Sequence, residues 1–98
     1  MIYELRKYSL VAGGVKEYIK SYNEFGRAVQ AEILGEPVAI LHSESGNLNQ
    51  IVFLWKFESF EDRRTRRQAL MEDARFTAFR RASRHLLVAQ ENQFLSAA

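Results

Sequence analysis

The chain contains no cysteine. A disulfide framework, a thiolate metal site and a cysteine nucleophile are therefore all excluded. Histidine occurs only at His42 and His85, with no ligand spacing between them, so nothing in the sequence marks a metal centre. No apolar run approaches the roughly 20 residues that cross a bilayer as a helix. Residues 2–8 look like a strand and have neither the apolar core nor the cleavage site of a signal peptide, so a cytoplasmic protein is the expectation. Gly-rich phosphate loops, nucleophile elbows and paired acid–base constellations are missing as well.

What is present is apolar material. Hydrophobic residues make up 47% of the chain and aromatic residues 12%. Disorder has low hydrophobicity as its signature and is excluded as the dominant state. A length of 98 residues fits one domain, residues 1–98, rather than two. A domain this small buries a modest core and is only marginally stable alone. The net charge is +2, unevenly spread: residues 59–84 carry eight arginines against four acids. The run, with Arg63, Arg64, Arg66 and Arg67 next to Glu61 and Asp62, reads as a solvated helix face rather than a nucleic-acid footprint. The most apolar strand also lacks the aromatic pattern of an RNA-recognition sheet. Neither a nucleic-acid nor a membrane partner is expected.

Periodicity lays out the elements. Residues 2–10 alternate as a strand. Ala12, Gly13 and Gly14 mark a turn, and residues 15–34 carry a helical stripe of Val15, Tyr18, Ile19, Tyr22, Phe25, Ala28 or Val29, and Ile33, ended by Gly35. Gly26 inside that helix costs about 1 kcal/mol relative to Ala, which a close packing contact would explain. Strands over 38–43 and 48–57 flank a hairpin loop at Ser45, Gly46 and Asn47. The second of these is apolar on both faces, which implies burial on both sides. Ser59 and Asp73 cap two successive helical segments reaching about Ser83, and residues 86–95 form the last strand. The order is that of an α+β, ferredoxin-like βαββαβ fold with an antiparallel sheet in spatial order 4-1-3-2. Both helices then lie on one face. The other face, expected to show Phe or Trp from the third strand, needs a cover, and a second copy of the chain is the simplest one.

The opening Ile2-Tyr3-Glu4-Leu5-Arg6 with Tyr8, residues 43–50, Leu54-Trp55, residues 59–67 and the closing Gln90-Glu91-Asn92 together resemble NIPSNAP-family domains over essentially the whole chain. The resemblance implies a dimeric α+β barrel, two ferredoxin-like sheets packed face to face. It also implies kinship with a superfamily of cofactor-independent monooxygenases, haem-degrading enzymes and other small-ligand proteins. Larger eukaryotic relatives are associated with mitochondria and vesicles. This chain looks like a bacterial member, to which that association does not transfer.

Candidate sites follow from faces and residue types. Glu4, Arg6 and Tyr8 share one face of the first strand, about 7 Å apart in succession. They read either as a structural Glu4–Arg6 network with a cross-strand partner or as lining of a pocket between sheet and partner, where Arg6 holds an anionic group. His42 is the candidate for proton transfer, against a structural role. Trp55 is a candidate wall of a ligand site, against core or dimer interface. The resemblance makes Asn49 and Gln50 candidates for shaping a pocket or fixing the hairpin. Arg67 falls on an apolar stripe, where either its stem snorkels or its guanidinium reaches a buried carboxylate, with Glu91 in the last strand as the candidate partner. The reading is a homodimer with a small-molecule pocket between sheet and helices or at the dimer barrel, monooxygenase-like as the resemblance implies and with no cofactor. The alternative is a non-catalytic scaffold module whose sheet face serves only dimerisation.

Overall fold

Alternation at the start of the chain becomes strand β1 (Ile2–Leu10) in the computed structural model, which describes all residues, 1–98. Gly13, at φ 77°, takes a left-handed conformation that L side chains rarely adopt and turns the chain into helix α1 (Gly14–Ser21). A π-helical turn, Tyr22–Gly26, joins α1 to α2 (Arg27–Leu34). Strands β2 (Ala39–His42) and β3 (Gln50–Phe57) form a hairpin. Then come α3 (Phe60–Glu72), α4 (Ala74–Ser83), a 3-10 turn over Arg84–Leu86 and β4 (Leu87–Leu95). Both expected caps form. The Ser59 Oγ accepts the Asp62 N–H at 3.1 Å, and the Asp73 carboxylate accepts the N–H groups of Arg75 and Phe76. Asp62 Oδ2 reaches back one residue beyond the usual capping box, to the Glu58 N–H at 3.0 Å.

The sheet order is β2-β3-β1-β4, with every neighbouring pair antiparallel. This is the ferredoxin-like order expected from right-handed crossovers. Register places Glu4 opposite Trp55, Arg6 opposite Phe53 and Tyr8 opposite Ile51, so these residues share a face. The helices pack on that face. Ile51, Phe53, Trp55 and Phe57 point into it, each at most 3% exposed. Burying each contributes about 1.5–3 kcal/mol. Tyr18, Tyr22 and Phe79 complete the core from the helix layer with edge-to-face contacts at 5.3–5.9 Å.

The π turn resets the phase of the first helical arm. Its buried positions are Gly14, Tyr18, Tyr22, Gly26, Val29, Gln30 and Leu34. Phe25, expected on the apolar stripe, is instead 57% exposed, because the turn carries one residue more than an α-helical turn. Gly26 takes the inward place: a Cβ there would lie 2.9 Å from Cδ2 of the Phe79 ring.

The molecule measures 35 × 35 × 18 Å. Eighteen ångströms is one sheet plus one layer of helices about 10 Å apart, so the second sheet face carries no layer. That face shows Leu5, Val52 and Leu54, all half-buried, and exposed Leu41. The expectation that Phe or Trp from β3 would stand there is corrected, since strand alternation turns Phe53 and Trp55 toward the helices. The apolar character of both β3 faces remains. No helix is long and apolar enough to cross a membrane.

Candidate functional site

Glu4 sits mid-strand in β1 with no solvent exposure. An ionised carboxylate in that position is costly unless paired and hydrogen-bonded. Three side chains pair it. Arg63, one turn into α3, donates from Nε to Oε1 at 3.0 Å and from Nη2 to Oε2 at 2.8 Å. Arg6 donates from Nη1 at 3.0 Å, and Asn92 of β4 donates from Nδ2 at 2.9 Å. Burial pushes the Glu4 carboxyl up, but the hydrogen bonds from Arg63 and Asn92 and the charges of Arg6 and Arg63 outweigh it and hold the pKa at about 2. Arg63 also lies over the Phe94 ring at 4.8 Å, tying α3 to the end of β4.

Arg6 extends this arrangement along the strand. Its Nε donates to the Tyr8 hydroxyl at 3.1 Å, which fixes the guanidinium plane between Glu4 and Tyr8. Burial opposes the Arg6 charge, and Tyr8 and Glu4 more than offset it, so its pKa rises. Its Nη2 makes no bond to the protein and is free for a ligand.

Beyond Arg6 a cavity of about 510 Å³ opens between the sheet, at β1 and the start of β4, and the helices. That volume is within the range of small-molecule sites. Tyr18, Met71, Phe76 and Phe79 form apolar walls, while Arg6, Tyr8, Gln30 and Arg67 supply polar groups. Arg80 and Arg84, both exposed, complete the positive lining. No carboxylate lines the cavity. Arg67, Arg80 and Arg84 take part in none of the ion pairs of the protein. Burial, and then the neighbouring charge of Arg6, lower the Arg67 pKa, although an arginine stays protonated. Burial, with Tyr8 and Tyr22 nearby, raises the Tyr18 pKa and keeps its hydroxyl neutral. The cavity therefore offers hydrogen-bond donors and uncompensated positive charge against aromatic walls.

Of the residues singled out in the sequence, Arg6, Tyr8 and Arg67 meet here. They do so between sheet and helices, one of the two expected pocket positions, rather than between the sheet and a partner copy, the place expected for Arg6 and Tyr8. The expected Arg67–Glu91 pair does not form. Alternation along β4 turns Gln90, Asn92 and Phe94 toward the helices and Glu91 to the open face, where it meets Lys7 at 3.5 Å. Asn92 takes the inward place. His42, half-exposed at the end of β2, lies 3.7 Å from Glu44 and lines a separate groove of about 310 Å³. Trp55 is sealed in the core, stacked on Phe53 at 6.0 Å, and does not line the cavity. Asn49 fixes loops: its Oδ1 accepts the Gly13 N–H, its carbonyl accepts the Leu10 N–H, and its own N–H goes to Asn47. Gln50 reaches Ser9 across the open face at 3.5 Å.

Four residues at or beside the site escaped the sequence reading: Gln30, Arg63, Arg80 and Arg84. The arginines were absorbed into a solvated helix face. Their spacing held the signal. Arg63 and Arg67, like Arg80 and Arg84, are four residues apart and so share one helix face. Arg64, Arg66 and Arg75 do remain at the surface, the last two paired with Asp62 and with Glu32 and Asp73.

Comparison with known proteins agrees with this fold. Residues 3–98 match the NIPSNAP family model. The human Protein NipSnap homolog 3B is 35% identical over 97 residues, which are 96% of this chain and 38% of that protein. The chain thus spans well under half the length of this curated relative. A NIPSNAP family protein with unknown function from Agrobacterium tumefaciens superposes at a TM-score of 0.97 with 39% identity, covering 100% of this chain and 88% of that one. A putative antibiotic biosynthesis monooxygenase from Nitrosomonas europaea superposes at 0.71 with 9% identity, covering 99% and 98% of the two chains, and shares the fold alone. By the family match and these identities, the chain belongs to the NIPSNAP family.

Proposed function

We propose that the chain binds a small organic anion with an apolar body, in the cavity between the sheet and the helices, and does so as a homodimer. The observation that carries this is the lining itself. Arg6, Arg67, Arg80 and Arg84 surround an aromatic-walled space of about 510 Å³ that contains no carboxylate. Arg6 is paired with Glu4, but Arg67, Arg80 and Arg84 have no protein counter-ion, and such guanidinium groups favour a carboxylate, sulfonate or phosphate from outside. Tyr18, Phe76 and Phe79 suit an aromatic or acyl body. Monooxygenase-like chemistry, as expected from the resemblance, drew on His42 for proton transfer and Trp55 as a wall. Both lie outside this cavity, so binding is the reading proposed. The apolar open face of the sheet supports the homodimer. A bacterial cytoplasmic protein is our setting for it, supported by the identity with the Agrobacterium protein.

Thermal-shift and calorimetric titration with aryl and acyl carboxylates, sulfonates and phosphates tests the proposal. At least one class is expected to bind and stabilise the protein, and Arg67→Gln to weaken that binding tenfold or more while the variant stays folded. Wild-type protein that binds none of them, or Arg67→Gln with undiminished affinity, would sink the proposal and leave the scaffold reading, in which the sheet face only dimerises.

A further inference from the structure

The cavity has a second polar feature, at the first helical arm. Gln30 is 5% exposed and lines the cavity. The one hydrogen bond of its side chain is accepted by Oε1 from the Tyr22 hydroxyl. Burial raises the Tyr22 pKa, so the hydroxyl keeps the proton that it donates to Gln30. The amide oxygen therefore faces Tyr22, and the amide NH2 is left over. No sealed side-chain nitrogen or oxygen in the protein lacks a partner. Nε2 of Gln30 has none, so it must open onto free space, and the cavity is the space that Gln30 lines. The Tyr18 hydroxyl also makes no hydrogen bond to the protein; Tyr18 borders both this cavity and the neighbouring groove, and the charges of Arg6 and Arg80, which line the cavity, act on its hydroxyl.

We infer that Gln30, assisted by the Tyr18 hydroxyl, reads an uncharged acceptor oxygen of the ligand, and that the ligand class is an oxo-acid: an anionic group for the arginines, an aromatic or acyl body, and a carbonyl-type oxygen away from the anionic end. The inference rests on the anion-binding reading above and deepens it. A neutral amide donor held by Tyr22 distinguishes an oxygen from a methylene where arginines alone would not. A site built to hydrogen-bond an oxygen rejects the analogue lacking it, because the donor is then left buried and unpaired.

The test is calorimetric titration of the full chain with two matched pairs, 4-acetylbenzoate against 4-ethylbenzoate and 4-benzoylbenzoate against 4-benzylbenzoate. In each pair an oxo group replaces hydrogen and the anionic end is unchanged. Wild-type protein is expected to bind at least one oxo-acid about tenfold more tightly than its deoxo partner. Gln30→Leu should abolish that preference by weakening the oxo-acid, with the deoxo acid held as before. Arg67→Gln should weaken both members alike and keep their ratio. If wild type binds both members equally, while Arg67→Gln still weakens both, the anion site stands and the role of Gln30 is overturned. If the preference survives in Gln30→Leu, the role is likewise overturned. If neither pair binds wild type, this inference fails with no bearing on phosphate or sulfonate ligands, which the broader titration decides. Should Gln30→Leu not fold, the wild-type ratio and the volume-conserving Gln30→Met variant read the same quantity.

Discussion

Glu4 shows how far a single residue governs this site. It neutralises part of the charge of Arg63 and Arg6, and through Arg6 it sets the edge of the cavity. Its folded pKa of about 2 is below the ordinary value of 4.5. Between those two pH values the unfolded chain takes up a proton that the folded chain refuses. The stability from Glu4 is therefore fully present above about pH 4.5 and is lost as the pH falls toward 2. The shift corresponds to about 3 kcal/mol. Glu4→Gln keeps the shape and removes the charge. Urea denaturation should show it about 3 kcal/mol less stable than wild type at pH 7, with the difference shrinking steadily below pH 4.5. A difference that stays constant with pH would show that charge is not what Glu4 contributes. At this scale the sequence was partly legible. Two charges and a phenol alternating in a central strand identified Glu4, Arg6 and Tyr8. The partner of Glu4 was not legible, because Arg63 is 59 residues away and its approach depends on how α3 lies across the sheet. The same limit misplaced Arg67 opposite Glu91: strand alternation gives two faces, and only the packing of helices decides which is inside.

The first helical arm carries the next prediction. Caps and the ends of helices are local signals, so Ser59, Asp73 and Gly35 could be read directly. The π turn could not. It shifts the phase of the arm by about one residue, exposes Phe25 and turns Gln30 into the cavity. Its trace in the sequence is Gly26, a residue that a plain helix would disfavour. Alanine at that position would gain about 1 kcal/mol of helix propensity, but its Cβ would meet the Phe79 ring at 2.9 Å. That ring is 3% exposed and flanked by Tyr18, Tyr22 and Phe76, so it has nowhere to move. Overpacking of this kind costs about 1–3 kcal/mol. Gly26→Ala is expected to be destabilising by about 1 kcal/mol in urea denaturation. In a Phe79→Leu background the sign should reverse, because the clash goes and the propensity remains. Additive effects of the two substitutions would mean that Phe79 is not the reason for the glycine.

At the scale of the whole molecule, the question is what stands against the open face of the sheet. A layer 18 Å thick leaves one side of a four-stranded sheet without a cover. Leu5 lies opposite Leu54, Ala39 is opposite Leu54 on its other side, and Leu41 is opposite Val52. These form a contiguous aliphatic patch with Lys7, Lys56 and Glu91 around it. A two-fold partner matches such a patch with itself. A standard interface takes about 800 Å² from each side, a modest part of the 6259 Å² surface of the chain. The helix-side core is independent of this face, since Ile51, Phe53 and Trp55 point the other way. A charge on the open face should therefore break the dimer and spare the fold. Light scattering on the wild type is expected to give twice the chain mass, and Leu54→Glu with Val52→Lys the mass of one chain, with circular dichroism unchanged. The cavity lies on the opposite side of the sheet, so the monomeric variant should still bind the anion. A wild-type monomer would remove the homodimer from the proposal. A monomeric variant that no longer binds would mean instead that the second copy completes the site.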